Sequence, residues 1–411
     1  MGGITPENIH RHVRYLADKV GPRILGTDSE RSAADYVARK MCELGMCVER
    51  QEFGVSGFLP EEARLEVMKP FQIELRCVPF CYSGSTGSEG VEGELLCVGE
   101  GKSDDYEGAN AEGKIVLAAQ PPQGTPGIYD SLVRAASESG ASGIIIAKSE
   151  GFPVSFALPS AMGLIPAVFV SSSDGGRLLM RLLRGAVRVK LKVMASFPKV
   201  SSQNVLGWLG RDRQSVGRVL LCSHLDSVVG SPGANDDASG IAVLLEAARS
   251  LGESAIRGCV GFAFFGGEEA HYKGSEAFIR ARPNELDSLR AVISLDQVGV
   301  GAGSQNKLCL KTSTIHAGRR IESPEWLSQA ITCAGRGKGI LVEKTTVLGF
   351  SDHVPFMLRG IPGILIRWMD DPWYHSSLDT SFNVDPYKLK MVVALVVSSC
   401  LRLVGKGSLA S

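Results

Sequence analysis

A buried strand that ends in a histidine and an aspartate is the feature that most constrains this chain. The run from Val219 to Cys222 is apolar, and His224 and Asp226 follow it closely. Because side chains alternate between the two faces of a strand, His224 and Asp226 are expected to point to the same side. This spacing suits an imidazole that binds a metal while a neighbouring carboxylate accepts its other N–H and orients it.

Other apolar runs end in the same way, and helical patterns separate them. The predicted strands end near His224, Phe265, Asp296 and Trp368, and the helical patterns cover residues 238–250, 270–280, 324–333 and 386–404. This alternation predicts an α/β fold with a mostly parallel mixed sheet sandwiched by helices. Ligands of such sheets bind outside the carboxyl ends of the strands, which is where His224, Glu268, Glu269 and Asp296 fall.

The middle of the chain has a different pattern. Residues 187–193 alternate strictly between apolar and polar, and residues 113–117 and 143–147 read as buried strands. All seven histidines lie elsewhere, so this region is a poor candidate for zinc chemistry. We expect an inserted β-rich domain at residues 63–196 and a catalytic domain formed by residues 1–62 and 197–411.

Charge and composition argue against several classes of partner. The chain has 44 basic and 44 acidic residues, so nothing favours nucleic acid or an anionic membrane. The longest apolar stretch, residues 391–397, is too short to span a bilayer and predicts a buried helix. No signal peptide is evident, and ten cysteines without a Cys-x-x-Cys pair suit a reducing compartment, so we expect a cytoplasmic protein. The oligomeric state is not indicated.

Five short stretches carry the candidate metal-binding and catalytic residues: His224–Asp226, Asn235–Asp237, Gly266–Glu269, Ser294–Asp296 and Trp373–His375. Two imidazoles with several carboxylates and no cysteine ligand pattern suit zinc, with cobalt or manganese as substitutes. The set is larger than one tetrahedral ion can use. A carboxylate that bridges two ions would use the surplus.

The pair Glu268-Glu269 can divide two roles between adjacent side chains. Because such side chains diverge, one can bind metal while the other faces a metal-bound water and accepts its proton. A solvated acidic loop is the alternative interpretation. Tyr374 can donate to the oxyanion of a tetrahedral intermediate, or it can simply pack beside Trp373.

As a set and in their order, these motifs resemble the co-catalytic di-zinc aminopeptidases, the bacterial leucyl and yeast vacuolar aminopeptidase group. The resemblance covers nearly the whole chain and includes Gly21-Pro22-Arg23 and Gly26-Thr27 in the opening helical region. It implies a zinc exopeptidase fold of the phosphorylase/hydrolase type. The inserted region resembles a protease-associated domain through residues 113–117 and 165–168.

The resemblance also implies a role for each site residue. One zinc would be held by His224 and Asp296 and the other by Glu269 and His375, and Asp236 would bridge both ions. The peptide bond between Asp236 and Asp237 would be cis. Glu268 would be the general base, Asp226 the partner that orients His224, and Tyr374 the oxyanion donor. The implied activity is removal of the N-terminal residue from peptides with a free N-terminus, through a metal-bound hydroxide. Asp370 and Asp371 lie near the implied site mouth, where a solvated loop is the simplest interpretation.

Three alternative functions remain open from the sequence. A glutaminyl cyclase is compatible with Trp368 and Trp373 near His375, and it would use one zinc. A carboxypeptidase on the same scaffold would need a cationic pocket, for which Arg359 and Arg367 are the candidates. A non-catalytic binding module is disfavoured, because the ligand set and the base are complete.

Overall fold

The computed structural model describes residues 4–120, 127–149, 153–158, 160–210, 217–254, 259–301, 307–316 and 318–405. The chain divides into two compact units. The first unit comprises Met1–Val55, Ser201–Ser227 and Ser231–Ser411, and the second comprises Ser56–Val200 and Val228–Gly230. The region predicted to be inserted, residues 63–196, lies within the second unit, and its domain limits stay a prediction.

Two helices and a strand open the chain: α1 (Pro6–Arg14), α2 (Asp28–Glu43) and β1 (Val48–Ser56). Helix α1 begins as its sequence predicts, because the Thr5 hydroxyl accepts the Asn8 N–H and Pro6 takes the first helical position. Thr27 caps α2 in the same way, at the Glu30 N–H.

The second unit contains an eight-stranded sheet of its own, and two α-helices of this unit lie on opposite faces of the sheet. Its elements are β2 (Leu59–Lys69), β3 (Ile73–Leu75), β4 (Cys77–Pro79), β5 (Val91–Cys97), β6 (Ile115–Ala119), α3 (Ile128–Glu138), β7 (Gly143–Ala147), β8 (Ala167–Val170), α4 (Ser172–Leu182) and β9 (Arg188–Ser196). The strand order is β3-β2-β9-β5-β6-β7-β8-β4. Leu132 of α3 and Leu178 of α4 belong to separate apolar clusters, because alternate residues of β6 face opposite sides of the sheet. The β-rich character predicted for this region is confirmed.

The remaining elements complete the first unit. They are β10 (Lys199–Leu209), β11 (Arg218–His224), α5 (Ser239–Gly252), β12 (Val260–Phe265), α6 (Lys273–Ala281), α7 (Pro283–Leu286), β13 (Leu289–Leu295), β14 (Leu308–Lys311), β15 (Ser313–His316), β16 (Arg319–Glu322), α8 (Glu325–Arg336), β17 (Glu343–Thr345), α9 (His353–Met357), β18 (Gly363–Trp368) and α10 (Pro386–Val404). Strands β15 and β16 form a separate hairpin.

A mixed sheet of eight strands forms the centre of the first unit, in the order β1-β10-β12-β11-β13-β18-β14-β17. The four strands β12, β11, β13 and β18 are mutually parallel. Strand β10 runs antiparallel to β12, and β14 runs antiparallel to β18 but parallel to β17. Parallel strands bring their carboxyl ends to one edge of the sheet. The ends at His224, Phe265, Leu295 and Trp368 therefore meet there, which confirms the predicted fold class.

Helices cover both faces of this sheet. One apolar cluster joins the sheet to α1, α2, α5, α8 and α10, and a second joins the opposite face to α6, α7 and α9. Burial on both faces explains why the parallel strands read as continuous apolar runs. Residues 391–397 lie in α10, whose core-facing side chains are buried, as predicted. Within the described residues, no helix combines the length and the apolar composition that a membrane crossing requires.

Candidate metal centre

His224 ends the buried strand β11 and points its imidazole toward two carboxylate-bearing loops. Its Nε2 lies 3.0 Å from Oδ1 of Asp236. Its Nδ1 lies 3.1 Å from the backbone carbonyl oxygen of Asp226, which leaves Nε2 as the nitrogen available to a metal. The imidazole is thus oriented by a backbone oxygen.

The Asp226 carboxylate differs from its predicted contact. Its Oδ1 lies 3.7 Å from Nδ1 of His224, too far for a hydrogen bond. Instead, Oδ1 accepts the backbone N–H of Glu268 at 3.0 Å, and Oδ2 accepts that of Glu269 at 3.1 Å. Asp226 therefore orients His224 through its main chain and anchors the Glu268-Glu269 turn through its side chain. The carboxylate still lies within ion-pair distance of the imidazole, so the predicted role of Asp226 as the carboxylate partner of His224 stays a prediction.

Asp236 lies between two imidazoles. Its Oδ1 faces His224 at 3.0 Å and its Oδ2 faces Nε2 of His375 at 3.2 Å. The Asp236–Asp237 peptide is cis, as the resemblance implies. Asp237 faces elsewhere, since its carboxylate accepts the Ser223 hydroxyl at 2.5 Å and the Gly240 N–H at 2.9 Å. Asp236 therefore faces the candidate metal ligands, whereas Asp237 is hydrogen-bonded to the surrounding fold.

Glu269, Asp296 and His375 complete two groups of ligand atoms that share Asp236. His375 Nε2 lies 3.0 Å from Oε1 of Glu269. Within each of the groups His224–Asp236–Asp296 and Asp236–Glu269–His375, one ligand atom per residue lies within 4.8 Å of the others. The structure therefore brings all five predicted ligands together. Glu268 lies beside them, in a third such group with His224 and Glu269.

The donor set fits zinc in chemistry and in charge. Oδ1 of Asp296 is buried and has no hydrogen-bond partner among the described residues, as expected of an oxygen reserved for a cation. Two neutral imidazoles and three carboxylates carry a formal charge of about −3, which divalent ions would neutralise. His224 and Asp296 would hold one ion and Glu269 and His375 the other, with Asp236 between them.

The pKa shifts report the crowding of acids in this centre. Burial raises the pKa of Glu268 well above its usual range, and the neighbouring Glu269 adds to the shift. Burial acts to raise the pKa of Asp236 too, but the His224 and His375 imidazoles outweigh it, so the net shift is downward. Burial acts to lower the pKa of His375, yet the Glu269 and Asp236 carboxylates raise it to about 10. Without metal, the imidazoles therefore act as the counter-ions.

Asp379 and Arg23 hold the loop that carries Asp236, and neither was identified from the sequence. The buried Asp379 carboxylate accepts the backbone N–H groups of Asn235 at 2.6 Å and Asp236 at 3.1 Å. The fully buried Arg23 donates to the carbonyl oxygens of Leu225, Pro232 and Gly233 at 2.7–2.9 Å. From the sequence, Arg23 was noted only as part of the Gly21-Pro22-Arg23 motif, without a role, and Asp379 was not noted.

Asp371 is also bound into the site, whereas Asp370 is exposed. The Asp371 carboxylate accepts the side-chain amide of Asn235 at 2.7 Å and the Trp373 N–H at 2.9 Å. The interpretation as a solvated loop is therefore wrong for Asp371, because it links the His375 loop to the Asp236 loop. The contact between these two loops could not be predicted, because loop residues show no periodic sequence pattern that indicates their partners.

The Tyr374 ring stacks beside the site. Its centroid lies 3.8 Å from that of His375, and the Arg367 guanidinium lies 5.9 Å from the ring. Burial raises the pKa of Tyr374 well above its usual value, so the phenol keeps its proton at neutral pH. Its role as an oxyanion donor stays a prediction. Arg359, the other cation considered for a carboxypeptidase, is exposed at the end of α9.

The Asp379→Asn variant is expected to weaken metal binding about 10- to 100-fold, because an outer hydrogen-bond partner of a ligand loop contributes on that scale. An amide offers one acceptor oxygen, so one of the two backbone N–H groups would face an NH₂ group. Chelator competition with a fluorescent zinc indicator measures the affinity. Asp130→Asn is the matched control, because Asp130 also accepts two backbone N–H groups, those of Ser160 and Ala161, in the second unit. Equal zinc affinity in both variants would contradict the assignment.

Comparison with known proteins adds two family matches. The profile of peptidase family M28 matches residues 204–399, and the profile of the PA domain matches residues 90–178. Aminopeptidase YwaD of Bacillus subtilis is 29% identical over 405 residues, which cover 96% of this chain and 84% of that protein. The solved structure of BSAP, a zinc aminopeptidase from Bacillus subtilis, is similar with a TM-score of 0.80 and 26% identity, over 98% of this chain and 96% of that one.

A glutaminyl cyclase shares the fold at a greater distance. The structure of the enzyme from Fimbriiglobus ruber matches with a TM-score of 0.53 and 15% identity, over 97% of this chain and 95% of that chain. At this identity the likeness concerns the fold alone.

Proposed function

The chain belongs to peptidase family M28 and carries a PA domain, and from this membership we propose that it is a zinc-dependent aminopeptidase. Its substrates are peptides with a free N-terminus, from which it hydrolyses the N-terminal residue. The observation that carries the proposal is the position of Asp236, whose two carboxylate oxygens each face a different imidazole. A single-ion site would have no need of a carboxylate so placed.

We propose two zinc ions per chain, with cobalt or manganese as substitutes. His224 and Asp296 would hold one ion and Glu269 and His375 the other, and Asp236 would serve both. When bound, zinc polarises the scissile carbonyl and lowers the pKa of water at the site. The chain's own contribution is to orient His224 and the Glu268-Glu269 turn through Asp226, and to hold the Asp236 loop through Asp379 and Arg23.

Glu268 moves the proton in this proposal. It takes a proton from the attacking water and returns it to the leaving amine, the usual task of a general base and acid. The Asp226 carboxylate accepts the N–H groups of both Glu268 and Glu269 and so holds the backbone that carries these two side chains. Tyr374 donates its hydroxyl hydrogen to the developing oxyanion.

Two further assignments are proposals of the same kind. The catalytic domain is formed by residues 1–62 and 197–411, and residues 63–196 form the inserted PA domain. We also propose a reducing compartment such as the cytoplasm, in which the exposed thiols of Cys42, Cys47 and Cys97 would stay reduced.

Zinc removal is expected to abolish release of p-nitroaniline from leucyl-p-nitroanilide, and added zinc to restore it. Mass-spectrometric metal analysis of the active protein should find two ions per chain. N-acetylation of a peptide substrate should prevent cleavage, since the free amine is needed; cleavage of the acetylated peptide from its other end would instead indicate a carboxypeptidase. One zinc per chain with cyclisation of an N-terminal glutamine would indicate a glutaminyl cyclase.

A further inference from the structure

Lys311 is a mostly buried lysine of the first unit whose ammonium group pairs with no carboxylate of the described residues. The residue is 8% exposed, and it makes no hydrogen bond or ion pair with any residue that the structure describes. A buried charge is costly unless it is paired. Burial lowers the pKa of Lys311 to about 7, and the nearby Arg367 lowers it too, so an arriving anion would restore its full charge.

Arg367 lies beside Lys311 on the same face of the sheet. Cys309 of β14 pairs with Arg367 of β18, and Lys311 lies two residues further along β14. Residues two apart point to one face, so the two long side chains are diagonal neighbours. Arg367 donates to Oε1 of Gln297, while its Nε is buried without a hydrogen-bond partner in the described part of the chain. Two adjacent cations thus keep unused donors.

These cations border the proposed metal centre. Leu295 of β13 pairs with Ile366 of β18, so the next residue, Asp296, comes beside Arg367. The Asp296 N–H donates to the Ile366 carbonyl oxygen at 3.4 Å, which keeps the two strands in register at this point. Once Asp296 binds zinc, its carboxylate is committed to the metal and cannot also neutralise Lys311 and Arg367. The exposed Asp370 also acts on Lys311 electrostatically, but it forms no ion pair with it among the described residues, so a bound anion would add the missing direct partner.

We propose that Lys311 and Arg367 form a carboxylate-binding subsite beside the metal centre and that the enzyme prefers peptides that bring a carboxylate to it. A guanidinium matches the geometry of a carboxylate, and an ammonium adds a compact charge. Two parts of a substrate carry this group: the side chain of an acidic N-terminal residue and the C-terminus of a dipeptide. The inference rests on the proposed aminopeptidase function and adds a substrate class to it.

The test compares kcat and KM of the zinc-loaded wild type, Lys311→Met and Lys311→Arg. One arm uses glutamyl- and aspartyl-p-nitroanilide against leucyl-p-nitroanilide, and the other uses leucyl-leucine against its amide. In one of the two arms, Lys311→Met should lower kcat/KM for the carboxylate-bearing substrate about 10- to 100-fold, mainly because KM rises. The measured quantity is the ratio of kcat/KM for the carboxylate-bearing substrate to that for its neutral counterpart, and Lys311→Arg should retain most of this ratio. The arm that responds identifies the source of the carboxylate.

Lys388→Met is the matched control, because Lys388 is also 8% exposed but lies over the Trp368 ring at 4.7 Å. It should leave the substrate preference unchanged. Equal losses on all substrates in Lys311→Met, or no loss on any, would overturn the subsite.

Calorimetric binding to the zinc-loaded Glu268→Gln protein separates the subsite from the activity. Glutamate should bind more tightly than glutamine, or leucyl-leucine more tightly than its amide, and the additional Lys311→Met change should remove the difference. If this binding is seen but the wild type cleaves no aminoacyl substrate, the subsite stands and the proposed function fails. If leucyl-p-nitroanilide is cleaved and no carboxylate preference appears in either assay, the proposed function stands and the subsite fails.

Discussion

Glu268→Gln is expected to lower kcat on leucyl-p-nitroanilide by about 10²- to 10⁴-fold while both zinc ions stay bound. The amide is nearly isosteric, but it cannot accept the proton of the attacking water. The backbone N–H of residue 268 still donates to Asp226, so the turn keeps its shape. Steady-state kinetics together with metal analysis of the same preparation measures both properties.

The neighbouring glutamate supplies the sharpest comparison for this variant. Glu269→Gln removes an oxygen that lies 3.0 Å from the His375 imidazole, and it should lose metal together with activity. Glu276→Gln is a control for the chemical change alone, because Glu276 lies on α6 with half of its side chain exposed. Loss of zinc in Glu268→Gln, or full zinc retention in Glu269→Gln, would reverse the assigned roles of the two adjacent acids.

The fold class and the ligand cluster could be predicted because both depend on patterns local to each strand. Buried parallel strands read as continuous apolar runs, and the residue that follows each run marks the carboxyl edge of the sheet. His224, Glu269 and Asp296 were placed together on that ground. Asp236 and His375 lie in loops, and only the resemblance to a known family assigned them ligand roles.

The supporting contacts could not be predicted, because they join loops far apart in the chain. Arg23 contacts carbonyl oxygens about 200 residues later, and Asp379 accepts N–H groups about 140 residues earlier. No periodicity links such positions. The contacts of the Asp226 carboxylate with the Glu268 and Glu269 N–H groups could not be predicted for a related reason. Strand alternation gives the side of the sheet to which a side chain points, but not which nearby donors it meets.

The cations near the centre illustrate the same limit. Arg367 was considered as a partner for a terminal carboxylate because of its place near His375 in the chain. Lys311 was not considered, because only the pairing of β14 with β18 places it beside Arg367. The sequence shows that a charged residue lies in an apolar strand. It does not show which side chains of the neighbouring strands lie beside that charge.

Asp236→Asn is expected to release both metals, since Asp236 is the one residue shared by the two ligand groups. An amide oxygen can still approach one imidazole-bound ion, but it lacks the charge that a bridge between two cations requires. Zinc at about a hundredfold excess over its Kd stabilises the folded state by about 2.7 kcal/mol for each site, and the variant should lose this gain. Thermal unfolding with and without zinc measures the effect, and turnover should fall to the level of the chelated wild type.

Asp237→Asn is the counterpart that separates ligand from scaffold. The Asp237 carboxylate accepts the Ser223 hydroxyl and the Gly240 N–H within the buried core, so its replacement leaves a polar group mismatched. The free energy of unfolding should fall by about 1–3 kcal/mol even in the absence of zinc. Asp236, whose oxygens face the imidazoles, contributes mainly when metal is present. If zinc raised the melting temperature of Asp236→Asn as much as that of the wild type, Asp236 would not be the bridge, and a centre of two linked ions would have to be abandoned.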